Sequence, residues 1–402
     1  PPGPLVVDQN KKDRFLRKEF DEFEVPKNLD IIVIGSGIGG LTAVAVLAKL
    51  GKNILVLEQD KQAGGLCKIF TEKGFEFDCG FHYIGQLHEN GFLKVALDLI
   101  TDGQVHFAEQ GSHVDMVVIG TGNQCKEYTI YNGKKQMEAH LKKQFPKDTK
   151  AVEELFKIMT VFVQCSKAFS YPTVHQCMAF NVLTPSVVYY PKGGASEILY
   201  HIIQVLEKLG GKVLVNAPVS SILVNVKQGA YGELLVLGKD VEILAPVTIS
   251  DAGVFTTFKK LLLPEVQANL AKWKNVFSTL YFNEPKMGEE YEKYKKRFAN
   301  HLFDWACVHF PKLKQKVNFG YECCTTCQVI LHYKFQMVWS EYKIPYMTMW
   351  CFTSGQDVFS GGCSGALHGG LLCASDVMDH CLYIDLLLLQ KKLKRMVVKK
   401  VE

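Results

Sequence analysis

Three glycines, a serine and a carboxylate carry the first recognisable chemistry of this chain. Gly35, Gly37 and Gly40 stand in G-x-G-x-x-G spacing, Ser36 and Gly39 fill the same turn, and Glu58 follows 18 residues after Gly40. Gly35 allows a tight turn, Gly37 lets the backbone approach a pyrophosphate, and Gly40 lets a helix lie close to a strand. Glu58, with Gln59 beside it, is placed to hydrogen-bond a ribose hydroxyl. Gly64 and Gly65 offer a further backbone contact near a diphosphate. This is the chemistry of holding a dinucleotide.

The elements that must position these residues are legible around them. Ile31–Ile34 is apolar and β-branched and suits a fully buried strand. Leu41–Leu50 reads as a helix with little polar surface, ended by Gly51, and Asn53–Leu57 reads as a second strand. Strand, helix and strand make a βαβ unit. Its helix N-terminus presents free N–H groups and partial positive charge to phosphates.

A second glycine-rich stretch lies some 300 residues on. Asp357 follows an apolar run, Met347–Phe352, that reads as one buried strand, and Gly361, Gly362, Gly365 and Ala366 open a helix expected over Leu367–Leu389. A carboxylate there can accept a bond from a ribityl hydroxyl, and the helix N-terminus can face the pyrimidine edge of an isoalloxazine. A plain NAD domain needs no such second site, whereas extended FAD is gripped at both ends. The competing reading is an ordinary glycine-rich connection.

The stretches GSGIGGLTAVAVLAKLGKNILVLEQ, AGGLCKIF, GFEFDCGFHYIG, YPKGGASEI, GGKVLVNAPVSSI and SGQDVFSGGCSGALHGGLLCAS together resemble the carotenoid and retinoid oxidoreductases: phytoene desaturases, carotenoid isomerases and retinol saturases, the last most of all. The resemblance implies an α/β fold: a Rossmann-like FAD-binding domain of the GR2 flavoprotein type with an interleaved α+β substrate domain. FAD-binding segments would span 26–83, 189–253 and 346–389, and substrate-domain segments 84–188 and 254–345. Residues 1–25 would form a leader and short helix, and 390–402 a basic tail. It further implies that Val219 touches adenine through its backbone, that Asp357 and Gly362–Ala366 hold ribityl and flavin, and that the reaction saturates one double bond of a polyene alcohol such as all-trans-retinol. NAD or NADP is a candidate electron source. Desaturation, isomerisation and non-catalytic lipid binding or escort stay open as alternatives. His82 and Tyr83 are candidate proton donors, each also readable as a packing residue. The chain departs from the family where it is short, between Tyr171 and Tyr189 and between Leu263 and Met347, where Asp251-Ala252-Gly253 stands for N-A-G, and where Lys192 stands for arginine.

Composition bounds the rest. The 402 residues are 48% hydrophobic, enough for a large core. Lys and Arg number 46 against 41 acids, an excess too small to argue for nucleic acid. The positive charge gathers at the end, in Lys391, Lys392, Lys394, Arg395, Lys399 and Lys400, after the apolar Leu386–Leu389. An interfacial helix on anionic lipid and a solvated terminal helix both fit that pattern. The family resemblance implies the endoplasmic reticulum membrane, met peripherally or through a segment before Pro1. Thirteen scattered cysteines give no disulfide framework. Cys324 and Cys327 lack a second ligand pair for zinc, so no metal is expected.

Overall fold

The computed structural model describes residues 2–81, 83–85, 87–120, 125–158, 188–224, 232–236, 241–254, 256–262, 347–348, 351–356, 358 and 362–401, with isolated helical positions at 293, 297, 300, 304 and 307. A six-stranded sheet organises them, in the order β14 (Met347–Thr348), β15 (Cys351–Thr353), β13 (Val247–Ser250), β1 (Ile31–Ile34), β2 (Ile54–Leu57), β9 (Lys212–Leu214). All neighbours are parallel except β14 and β15. Every residue of β1 and β2 is buried, as their unbroken apolar sequences require. β1 pairs with β2 on one side and β13 on the other, which places a topological switch point at its carboxyl end.

Helix α2 (Ile38–Lys49) follows β1, with Ile38 through Ala48 all buried. Two further helices bear on it: α5 (Ser196–Lys208), and α6 (Gly362–Val377) with Gly365, Ala366 and Leu367 inward. The approach of α6 depends on missing side chains. A Cβ on Gly370 would overlap the Gly39 carbonyl and stand 2.8 Å from Thr42 Cβ. Helix α3 (Phe92–Ile100), inside the span assigned from sequence to the substrate domain, buries Leu93, Val95, Ala96, Leu97 and Ile100 in this same core. Helix α1 (Gln9–Leu16) is capped by Asp8, whose side chain accepts from the Asn10 amide at 3.0 Å. After it, the Phe20 amide donates to the Val215 carbonyl at 3.0 Å and the Val215 amide to the Lys18 carbonyl at 2.8 Å, which covers the β9 edge.

Smaller sheets surround the core. β10 (Val219–Val224), β11 (Gly232–Val236) and β12 (Val241–Ala245) form an antiparallel meander. β3 (Ile69–Glu72) and β4 (Phe75–Asp78) form a hairpin, as do β6 (His113–Ile119) and β7 (Lys126–Tyr131). β5 (Phe107–Glu109) pairs with β8 (Tyr189–Pro191). Beside the β6–β7 hairpin, α4 (Lys134–Gln144) contributes Met137 to a separate apolar cluster with Val152 and Phe156.

Three sequence expectations are corrected. The sequence of Lys212–Val224 predicts paired β segments broken at Pro218, but the two do not pair: β9 joins the main sheet and β10 the meander. Asn216, in the left-handed region at φ 53°, turns the chain between them. Met347–Phe352 is not one strand: Met347 and Thr348 pair antiparallel with Phe352 and Cys351. Leu367–Leu389 is not one helix: it breaks after Val377, where Asp379 takes φ 49°, and α7 (Leu382–Val401) starts anew as Ser375 Oγ accepts from the Leu382 amide at 3.2 Å.

Candidate functional site

The glycine turn sits at the carboxyl end of β1. Gly35 takes φ 95°, a conformation that costs glycine little, and its N–H bonds the Leu57 carbonyl at 2.8 Å. Gly37 is the N-cap of α2. A Cβ at Gly40 would lie 2.9 Å from both the Gly35 carbonyl oxygen and Asp251 Cβ. At Gly39 it would overlap Gly355 Cα. These positions form a cradle that side chains would fill, and its floor is the positive end of α2.

Glu58 is 7% exposed at the end of β2. Its Oε2 accepts from the Ser36 amide at 2.9 Å and from Ser36 Oγ at 2.6 Å, while Oε1 accepts from the Asp60 amide at 3.0 Å. Ser36 Oγ in turn accepts from the Gly64 amide at 2.9 Å. One serine thus ties the first strand's turn, the acid and the second glycine pair into a rigid unit. Gly64 and Gly65 take φ 128° and 54°, and Gly65 lies against Gly37. Gln59 is exposed. Val219 opens β10 just beyond Asn216 and Ala217, whose amides bond the carbonyls of Asp60 and Glu58 at 2.9 and 2.8 Å. That brings the Val219 segment to the acid end of the turn.

The two glycine-rich stretches meet. Gly355 lies against Gly39, and the Ser354 amide bonds the Ser250 carbonyl at 2.9 Å. Gly362 opens α6, and Gly365 and Ala366 are buried in it. Asp357, Gly361 and His82 lie outside the described residues, as do Cys323, Cys324 and Cys327. Tyr83 donates its phenol to Asp115 Oδ2 at 2.8 Å. A proton-donor role for it must compete with that bond.

Sequence reasoning gave no site role to three further features. Asp251, directly after β13, packs its carboxylate against Gly37, Gly39 and Gly355. Its place after a short buried strand was the available signal. Asp78 accepts the Ala195 amide at 3.0 Å and the Tyr190 phenol, joining β4 to the Tyr190–Gly194 turn. Burial, then that bond, raises the Tyr190 pKa well above the ordinary phenol value. Glu197 and Lys12 form a buried ion pair between α5 and α1, with His201 Nε2 at 3.8 Å. Burial lowers the His201 pKa to about 4.

The residues present fit a dinucleotide: a glycine cradle on a helix N-terminus, a buried acid beside it, and a second glycine-rich helix start abutting the first. Comparisons with known proteins agree. A model of the NAD(P)-binding Rossmann-like domain matches residues 33–97. An inactive all-trans-retinol 13,14-reductase of Danio rerio is 48% identical, with all of this chain and 94% of the relative covered. That alignment runs over 572 positions although this chain has 402 residues, so the relative carries segments with no counterpart here. The all-trans-retinol 13,14-reductase of Macaca fascicularis is 27% identical over 96% of this chain and 91% of its own. The Homo sapiens protein of that name is 33% identical over 65% of this chain, and the match spans only 53% of the relative. Among solved structures, a putrescine oxidase variant from a redesign of cofactor binding shares the fold at 14% identity and TM-score 0.52, covering 88% of this chain and 99% of that one.

Proposed function

The chain belongs to the all-trans-retinol 13,14-reductase family, and on that premise we propose that it is an FAD-dependent oxidoreductase that saturates the 13,14 double bond of all-trans-retinol or a related polyene. The observation that carries the reading is the meeting of the two glycine-rich turns, Gly35–Gly40 and Gly355 with α6, at the switch point of the sheet. Such a meeting suits an extended dinucleotide gripped at both ends.

In this reading Glu58 holds the adenosine ribose through its remaining acceptor capacity. The start of α2 and the Gly64–Gly65 turn face the diphosphate, and the start of α6 faces the flavin. Flavin bound there would supply the two-electron reduction, with the reduced forms of NAD or NADP, NADH or NADPH, as a source of electrons. The Ser36 amide and hydroxyl hold Glu58 oriented, and the buried α2–α6 contact keeps water from the back of the site. The chain works at the endoplasmic reticulum membrane. There α7 meets anionic lipid through Lys391, Lys392, Lys394 and Arg395, beside the exposed Ile384, Leu387 and Leu388. Co-sedimentation with anionic but not neutral vesicles checks that placement.

One observation favours a second reading, a chain that binds the cofactor without turnover: the relative at 48% identity is named inactive. A single experiment separates the two. Purified protein is reduced without oxygen and incubated with all-trans-retinol, and the products are resolved by chromatography and mass spectrometry. A dihydro product supports the reductase. Bound flavin with unchanged retinol supports the second reading. Folded protein with neither flavin nor product refutes both.

A further inference from the structure

We propose that Asp251 is an affinity-setting residue whose carboxylate, seated in the glycine cradle, opposes binding of a dinucleotide diphosphate. The inference rests on the FAD reading above and concerns how tightly that group is held.

The geometry fixes the charge where it matters. The Asp251 amide bonds the Ile34 carbonyl at 2.7 Å, which carries the β1–β13 pairing one residue past the strands. The side chain therefore stands at the mouth of the crevice. Its Oδ2 would overlap a Cβ on Gly37, and its Oδ1 would overlap one on Gly355. Oδ1 is also 2.8 Å from the Cβ position of Gly39. Gly37 caps α2, so the carboxylate sits at the positive end of that helix. That end is the feature a diphosphate uses. Two anions cannot both take full advantage of one helix N-terminus, and their mutual repulsion is poorly screened in a partly buried cleft. Asparagine would keep the shape and remove the charge.

The test measures the dissociation constants of FAD and of riboflavin, which lacks phosphate, by flavin fluorescence at fixed ionic strength. The proteins are the full chain and its Asp251→Asn and Asp251→Ser variants, with far-UV circular dichroism as the check on folding. Asp251→Asn is expected to tighten FAD about tenfold, equivalent to about 1.4 kcal/mol, and to leave riboflavin nearly unchanged. Asp251→Ser shifts FAD in the same direction and carries the test if the asparagine variant does not fold. FAD binding equal in parent and variants, or weaker in the variants, overturns the inference while the FAD reading stands. Equal tightening of FAD and riboflavin also overturns it, because the effect is then not on the phosphates. Folded protein that takes up FAD in none of the three forms overturns the FAD reading itself.

Discussion

Removing the ammonium of Lys12 should cost the protein far more than a surface lysine would. The Lys12 side chain is 7% exposed and that of its partner Glu197 is 1% exposed. Glu197 lies in the first turn of α5, with the Gly193 backbone packed against it. The neighbouring His201, pushed to about 4 by burial, is neutral near pH 7 and cannot replace the lost cation. Lys12→Met therefore strands a carboxylate in the core, for which breaking a buried pair costs about 3–5 kcal/mol. Replacing both partners, Lys12→Met with Glu197→Met, removes the stranded charge and should recover most of that loss. The deficit also depends on pH. Burial raises the Glu197 pKa and Lys12 opposes it. A carboxyl whose folded pKa lies above its unfolded value is best tolerated below the unfolded pKa, and it loses stability as pH rises through the folded one. Without Lys12 the folded pKa climbs further, so the deficit of the single variant should be larger at about pH 8 than at about pH 5. Urea unfolding followed by circular dichroism reads all three effects. With a slope of about 3 kcal/mol/M, the single variant's midpoint should fall by about 1 M or more. A single variant within about 0.5 kcal/mol of the parent, or a double variant as unstable as the single one, refutes the reasoning.

Ser36→Ala removes the hydroxyl that joins Glu58 to the Gly64 amide, and it should cost about 1–3 kcal/mol and weaken FAD binding in a fluorescence titration. Gly39→Ala drives a methyl into Gly355, and thermal denaturation should show a loss of about 1–3 kcal/mol together with loss of flavin uptake. Tyr190→Phe deletes the phenol bond to Asp78, worth about 1.5–3 kcal/mol, and should lower the melting temperature without touching the glycine cradle.

Local rules made the βαβ unit readable, because Ile31–Ile34, the glycine turn and Ile54–Leu57 each obey a short-range pattern that the tertiary structure reinforces. The role of Ser36 was only half legible. Its place in the turn marked it, but its bridge to Glu58 and Gly64 depends on three segments meeting. Asp251 and Gly355 were less legible still, because their contact is made across strands that are distant in sequence. The break after Val377 was missed since an apolar run such as Leu382–Leu389 continues helical periodicity past a single residue, Asp379, whose left-handed backbone no pattern announces. The β9–β10 misreading has the same origin in Asn216. The Lys12–Glu197 pair was invisible, because a lysine on a short polar helix ordinarily faces solvent.

Two glycine-rich turns that together hold one FAD should leave a spectroscopic signature. The most direct measurement is the absorbance spectrum of the purified, folded chain, with any chromophore released by denaturation and identified by chromatography. The expected result is flavin absorbance and stoichiometric FAD, either co-purified or taken up on addition. Folded protein that is colourless and stays so with added FAD would contradict it.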